Sequence, residues 1–448
     1  MNMERKNEGM TQTIASAPIA VVIPCYNHGQ FLEEAVNSVA AASLRVPPDQ
    51  VIIVNDGSDE AETLAALERV RESGRTVIDQ PNRGVAAARN AGFQNTTTDY
   101  VLPLDADDMI APTLLEKGLW AMATRPRTGF VCFWLRHFGN EHWIWRPHYT
   151  PYQLLFENVV TVTALVRKEA WAEAKGYAEA MRSGYEDWDF WLRLLESDWS
   201  GVQIPEPLFW YRRHNGGLLE VGNRRHHRLR ERIRRQHPVL YHPDRVAELK
   251  RQYQQEDSAS LLRLYGRRLA QTLLMRPQAR SLRQAWRRHQ EQQEPAERTG
   301  GGRWPRPWRL GGQQESACEV PSYAARAAEA DSAVLVLLAP IENQEDVRIA
   351  RESLRQLRSH YRIVVVPIAS EADQVELETE AEELFCLENF LPEDRIFHFL
   401  SYQLQIKQPQ RLVLVEADWG ERLLPRLRQF HSGWEVSRVT DTRGFAGL

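Results

Sequence analysis

Cysteine is scarce. The 448-residue chain holds four, at 25, 132, 318 and 386, and no pair has CxxC spacing. That argues against a zinc site or a disulfide framework and fits a reducing compartment. No apolar run approaches the ~20 residues needed to span a bilayer. The opening residues, MNMERKNEGMTQT, are polar and lack the apolar core of a secretory signal. Residues 1–16 are therefore expected to be a disordered tail and the protein to be cytoplasmic. A large charge excess is missing too. The net charge of -4 exerts no strong pull toward nucleic acid or anionic membrane. No short-period repeat is present. What remains is an ordinary globular composition, 43% hydrophobic and 26% charged, in a length that suggests two or three domains.

Strand and helix patterns alternate through about residue 220. IAVVIPCYN reads as a strand entering a loop, and Gly29 to Ser43 carries Phe31, Leu32, Ala35, Val36 and Val39 at helical spacing. VIIVNDGSDE is a buried strand ending in an Asp-Gly turn, with a helix from Glu60 to Glu72 behind it. TVIDQPNRG, GVAAARNAGFQ and YVLPLD continue as strand, helix, strand. Such alternation implies a mainly parallel sheet with helices on both faces, and a binding crevice at the carboxyl ends of the strands. The polar pairs Tyr26 and Asn27, Asn55 and Asp56, and Asn82 and Arg83 sit at those ends. Each pair alone could be a turn or a helix cap.

YVLPLDADDMI raises a sharper question, because Asp105, Asp107 and Asp108 crowd the end of a strand. Like charges this close repel, so a divalent metal is the first candidate for a positive partner, against a hydrated and capped loop. A second cluster lies in MRSGYEDWDFWLRLLESDW, where Glu186, Asp187 and Asp189 begin an apolar helix. Helix capping explains at least one of them. A carboxylate at the rim of an aromatic pocket is also a good general base, since partial desolvation lifts its pKa toward working pH. LFWYRRHNGG follows, with Arg212, Arg213 and His214 suited to phosphate and Trp210 and Tyr211 able to wall a pocket. The plainer reading is a basic loop closing the domain.

From about residue 221 the chain becomes rich in Arg, Gln and Leu and reads as polar helices. Acidic residues dilute the charge, which favours a solvated extension over a nucleic-acid or lipid surface. Residues 299–315 are a Gly, Pro and Arg-rich linker. SAVLVLLAP, Glu345 to Ser359, YRIVVVPIA, QRLVLVEAD and Glu421 to Phe430 then resume an α/β pattern.

The ordered set VVIPCYNHGQFLEEAVNSV, VNDGSDE, NRGVAAARNAG, LPLDADD, GYEDWDFWLRL and WYRRHN resembles a family 2 glycosyltransferase of the GT-A fold. The expected fold class is thus α/β. A GT-A nucleotide-diphospho-sugar transferase domain covers 17–220 and a basic helical extension 221–298. A second, smaller Rossmann-like domain follows over 316–448.

The resemblance implies roles. Pro24, Tyr26 and Asn27 would cradle the base and ribose, Asp56 would hydrogen-bond the base, and Arg83 and Arg89 would line the nucleotide. Asp107 would coordinate Mg or Mn on the diphosphate. Asp105 would hold ribose or donor sugar and join the metal set with His214, while Asp108 orients the loop. Asp187, with Glu186 beside it, would be the catalytic base. The implied activity is metal-assisted, inverting transfer from a nucleotide sugar, UDP-sugar favoured, to a glycan, lipid-linked or protein acceptor. Nucleic acid is not an expected partner, and peripheral membrane contact is left open.

The tail sequence SAVLVLLAPIENQEDVRIARESLRQLRSHYRIVVVPIA resembles the opening of a GT-B, family 4-like glycosyltransferase. It has room for only the first of two halves, and PIENQED replaces the glycine-rich loop. A non-catalytic acceptor-side or docking domain is expected. Two other readings of the whole chain are a non-catalytic nucleotide-sugar or glycan binding module, and a nucleic-acid arm at Arg224 to Arg235.

Overall fold

The computed structural model describes residues 19–252 and 333–439, except 45, 183, 215–225, 342–343, 358–360, 368, 370, 392–394, 408, 416–417 and 428–434. The expected tail over 1–16, the linker and most of the helical extension lie outside the described residues. One compact unit comprises 1–240 and 315–448, and a second comprises 241–314. Of the second, residues 243–252 are described as a helix.

The first half of the chain runs β1 (Ile19–Cys25), α1 (Gly29–Ala40), β2 (Val51–Asn55), α2 (Ala61–Glu72), β3 (Thr76–Asp79), α3 (Val85–Asn95), β4 (Tyr100–Pro103) and β5 (Met109–Ile110). It continues through α4 (Leu114–Ala123), β6 (Thr128–Gly139), β7 (Ile144–Trp145), α5 (Pro151–Leu154), β8 (Leu165–Arg167), α6 (Lys168–Glu173), α7 (Glu186–Glu196), β9 (Ser200–Arg213) and α8 (His226–Gln236). The strands form one sheet in the order β3-β2-β1-β4-β8-β6-β9-β5, with β7 paired to β6. β1 and β2 are buried at every position, as continuous apolar runs in central strands should be. α1 buries Leu32, Ala35, Val36 and Val39, its one apolar stripe.

The sheet is less parallel than the alternation suggests. β3, β2, β1 and β4 are parallel, as are β6 and β9. β8, β7 and β5 pair antiparallel to their neighbours. Local apolar runs mark strands, but the direction of each neighbour is decided by long-range pairing. β9 also extends through Leu208 to Arg213, where the sequence reads as a loop. Its two prolines, Pro205 and Pro207, fall where the β6–β9 register shifts between Phe133 and Leu135. Proline has no N–H for the ladder, so it is tolerated at such an irregularity.

The second sheet uses β10 (Ala333–Leu338), α9 (Gln344–Gln356), β11 (Tyr361–Val366), α10 (Glu371–Glu378), β12 (Glu383–Cys386), α11 (Ile396–Lys407), β13 (Arg411–Val415), α12 (Asp418–Leu427) and β14 (Glu435–Val439). Its order is β12-β11-β10-β13-β14, and every pairing is parallel. In chain order the strands lie 3-2-1-4-5, a doubly wound sheet whose order reverses between β10 and β13, consistent with the Rossmann-like expectation.

The two sheets share one apolar cluster. α4 is buried from Leu114 to Met122, the burial of a helix covered on all sides. Trp120 meets Phe399 and Tyr402 of α11 edge-on, at centroid distances of 5.4 and 5.5 Å. Buried charge accompanies it. Lys117 pairs with Glu206, which also accepts from Asn389 Nδ2 at 2.7 Å. Glu116 accepts from Gln403, and from Ser43 Oγ at 2.7 Å. Lys407 donates to Glu383 at 2.9 Å and to the Ser43 carbonyl at 2.7 Å. Burial pushes Glu116 above the usual carboxylate range, and Lys407 pulls it back.

Among the described residues no helix is long and apolar enough to cross a membrane. The junction makes a testable demand. Lys117→Met should cost about 3–5 kcal/mol in urea unfolding, because Glu206 is left charged and buried. Adding Glu206→Gln should recover most of that loss. A cost under about 1 kcal/mol would mean the pair is hydrated in solution.

Candidate active site

The parallel strands β1 to β4 end on one edge, so the loops that follow them meet there. Asn27 follows β1 with φ of 55°. Asparagine visits this left-handed region more readily than most residues because its short side chain bonds locally. Asn27 Nδ2 donates to Asp59 Oδ1 at 2.7 Å, and its Oδ1 accepts from the Asp59 and Glu60 backbone at 3.1 and 3.3 Å. Asp56 follows β2 and is buried. It accepts from Gln80 Nε2 at 2.7 Å and from the backbone of Arg83 and Gly84 at 2.8 Å each. Gly57 completes the turn with φ of 75°, and a Cβ there would stand 2.7 Å from the Asn82 nitrogen. Asn27 and Asp56 therefore bind neighbouring loops to one another. Pro24 lies within β1 opposite Val54, beyond the last residue paired with β4. Tyr26 is 47% exposed at the rim. The Arg83 side chain is exposed and reaches Glu179 at 2.8 Å.

Arg89 of α3 is different. It is buried, and it donates to Asp105 Oδ1 at 2.8 Å and to Glu186 Oε1 at 2.7 Å. Burial opposes its charge, but Asp105 and then Glu186 outweigh burial and hold the guanidinium firmly protonated. Arg89 thus links α3, the loop after β4 and the start of α7. It also lies over the Tyr177 ring, 5.7 Å from the centroid.

The three aspartates of the β4 loop reach three environments. Asp105 takes Arg89. Asp107 Oδ2 lies 2.9 Å from His214 Nε2 and 3.9 Å from His28 Nδ1. These three ligand atoms all fall within 4.8 Å of one another, close enough to hold a metal ion. Asp108 is buried and accepts from the Arg212 backbone at 2.9 Å. Burial pushes its carboxyl well above the usual range, and Asp107 and Asp105 push it further. Its Oδ2 has no hydrogen-bond partner among the described residues. Arg212 braces the same loop. It donates to the Asp107 carbonyl at 2.8 Å and to Glu34 at 2.8 Å, between the rings of Phe31 and Phe138.

The acids of α7 also diverge. Glu186 is tied to Arg89. Asp187 is half-buried, accepts from Asn158 Nδ2 at 2.8 Å, and accepts from the Trp188 backbone at 2.8 Å. Its pKa is pushed up to about 7, first by burial and next by Glu186, while Asn158, the Trp188 N–H and Arg89 oppose. A carboxylate poised there can accept a proton near neutral pH. Asp189 faces the other way and takes Arg193 at 2.9 Å and His237 at 3.1 Å. It anchors the helix.

The geometry therefore draws Arg89, Asp105, Glu186 and Asp187 into one cluster, and Asp107 and His214 into another. It leaves Asn27, Asp56 and Arg83 on loop contacts. Arg213 is paired with Glu141 at 3.3 Å, and Trp210 is buried in the core. Sequence reasoning missed His28 and Asn158. His28 stands directly after Asn27 in a strand-end loop, and that position was its only signal. Asn158 sits in an unremarkable loop segment, and nothing local marks it.

Part of the chain resembles known proteins. Residues 20–174 match the model of glycosyl transferase family 2. An uncharacterized glycosyltransferase of Haemophilus influenzae is 28% identical over 202 residues, 42% of this chain and 66% of that protein. The putative teichuronic acid biosynthesis glycosyltransferase TuaG of Bacillus subtilis is 27% identical over 208 residues, 45% of this chain and 81% of that one. The poly-beta-1,6-N-acetyl-D-glucosamine synthase of Staphylococcus aureus is 34% identical over 94 residues, 20% of this chain and 22% of that one. The chain thus spans 66% of the first relative's length and 22% of the third's. The family match ends at residue 174, so the GT-B likeness of the tail rests on its own residues alone. The segment from residue 20 to residue 174, which carries the β1 to β4 loops and Arg89, is a glycosyl transferase family 2 domain.

Proposed function

We propose that the protein is an inverting glycosyltransferase that moves a sugar from a nucleotide diphosphate, UDP favoured, to a hydroxyl of a growing glycan. The observation that carries this is Asp187, a half-buried carboxylate with its pKa near 7, set beside the Arg89–Asp105 pair of the donor-side loop. Two of the relatives bear the names of a putative teichuronic acid biosynthesis glycosyltransferase and a poly-beta-1,6-N-acetyl-D-glucosamine synthase, which supports a glycan acceptor.

In this reading the loops after β1, β2 and β3 shape the nucleotide subsite. Asn27 and Asp56 hold those loops in place, and Tyr26 presents an exposed ring. Arg89 holds Asp105 at the edge of the donor sugar. Asp187 takes the proton from the acceptor hydroxyl as its oxygen attacks the anomeric carbon. A single base with in-line attack inverts that carbon and needs no covalent intermediate. Asn158 and the Trp188 N–H orient the carboxylate.

The donor set around Asp107 suits a divalent cation, carboxylate with imidazole, and Asp107 and His214 would hold it. Such an ion, when bound, offsets the charge gathering on the departing diphosphate.

Calorimetric titration of UDP-, GDP- and dTDP-sugars with Mn2+, on wild type and Asp107→Ala, tests the donor site. Metal-dependent binding of one nucleotide class, lost in the variant, is the expected result. Folded protein that binds none of them would sink the enzyme reading. Binding without turnover would leave the non-catalytic module.

Asp187→Asn should abolish transfer and leave nucleotide affinity within about twofold, since the base acts on the acceptor. Equal loss of both would make Asp187 structural. For the wild type, kcat/KM should fall about tenfold per pH unit below 7, because the protonated acid accepts nothing. The same group costs stability as pH rises. Its folded pKa is raised, so the native state holds the proton from the unfolded carboxyl's pKa up to about 7. Stability is therefore lost across that window, and Asp187→Asn should melt above wild type at pH 8. An equal or lower Tm would show that Asp187 is solvated.

A further inference from the structure

We propose that His237 is a positioning residue, an imidazolium held between two carboxylates of α7 that fixes the helix carrying Asp187 to α8 and loosens it on losing its proton. The latch stands on its own contacts, and only its bearing on transfer rests on the reading of Asp187 as the base.

His237 directly follows α8, and its N–H closes the helix on the Ile233 carbonyl at 3.1 Å. Pro238 comes next, a residue that often stands just past a helix end. α8 buries Leu229 and Ile233, and His237 extends that face by one turn. The His237 Nε2 lies 3.1 Å from Asp189 Oδ1, and its Nδ1 lies 3.1 Å from Glu196 Oε2. Asp189 and Glu196 stand about two turns apart on α7 and therefore share a face. The His237 and Asp189 side chains are each 2% exposed, so water screens their contact little.

A neutral imidazole has one N–H, and its other nitrogen would turn a lone pair on a carboxylate. The imidazolium gives a donor to each acid. Burial opposes that charge, but Asp189 and Glu196 outweigh it and raise the pKa.

Arg193 is the other charge on this face of α7. It donates to Asp189 Oδ2 at 2.9 Å and to the Ala174 carbonyl at 2.8 Å. The two acids thus face two cations, and loss of the His237 proton leaves an unmatched negative charge in a buried place. Asp189 lies in the first turn of α7, as Glu186 and Asp187 do. That turn is held from one side by Arg89 through Glu186, and from the other by His237 through Asp189. The imidazolium's contribution is fully present below the unfolded histidine pKa of about 6.5. It is lost as pH rises through the higher folded value.

Ring-carbon NMR of the full-length, histidine-labelled protein from pH 6 to 9 tests the charge. The signal missing from His237→Gln belongs to His237. It should remain imidazolium at pH 7.5, where an unperturbed histidine is about 90% neutral. Glu196→Gln should lower the pH at which it titrates. Hydrogen exchange tests the positioning. Amides in the first turn of α7 should exchange about tenfold faster in His237→Gln than in wild type at pH 7. That gap, and the wild-type advantage in Tm, should narrow toward pH 9. Asp187 titrates in both proteins, so the difference between them cancels it.

A His237 ring already neutral at pH 7.5 overturns the proposal, as does a gap that stays constant or widens with pH. If His237→Gln does not fold, Glu196→Gln carries the test, and the proposal fails if no histidine titration moves. Turnover is scored separately. Where wild type transfers sugar, His237→Gln should lower kcat and leave the KM for the nucleotide sugar unchanged, and a full kcat removes the positioning role. An imidazolium latch in a protein that transfers from no donor would remove the glycosyltransferase reading and keep the latch.

Discussion

Arg89 is the interaction on which the rest of the site depends. A buried guanidinium is costly unless its charge and donors are met. Here Asp105 and Glu186 meet it from two different elements, at 2.8 and 2.7 Å. Because the fork of an arginine is planar and rigid, it sets the directions of both carboxylates as well as their distance. The loop after β4 and the first turn of α7 are thereby held in register with α3. Asp187 follows Glu186 immediately, so the helix start that Arg89 positions also positions the proposed base.

The same logic resolves the crowding in the β4 loop. Three acids this close would repel one another if all were ionised in one environment. The fold separates them. One is neutralised by Arg89, one faces two imidazoles, and one is buried with a raised pKa beneath the Arg212 backbone. Arg212 then fixes the loop from outside through the Asp107 carbonyl and Glu34. Much of the basic segment after Leu208 is therefore scaffolding for the acidic loop, and His214 is the residue of it that turns to Asp107.

Away from the site, α4 lies between the two sheets with acid and base on its buried surface. Glu116 and Lys117 reach partners on β9, on α11 and at Ser43. Buried polar contacts of this kind tolerate few alternative packings, because each misfit leaves a charge unmet. The second sheet is thus joined to the first through specific hydrogen bonds as well as through the apolar face of Trp120.

The sequence by itself determined the strand–helix alternation from Ile19 to Leu104, the short apolar strands of the second sheet, and which loops carry acids. Those are local signals, and spacing along the chain encodes them. It also marked Arg89, Asp105, Asp107, Glu186 and His214 as candidates through the order of their motifs. Tertiary structure alone decided their pairing. Arg89 and Glu186 are 97 positions apart, and Asp107 and His214 are 107 apart, so no local pattern could join them. It decided that Asp189 anchors a helix while Asp187 faces Asn158. It placed His28 beside Asp107. It also made half of the first sheet's pairings antiparallel and turned a proline-bearing stretch into β9. The physical reason is common to all of these. Burial and charge pairing depend on which strand ends the sheet order brings together, and that order is set by contacts far apart in the chain.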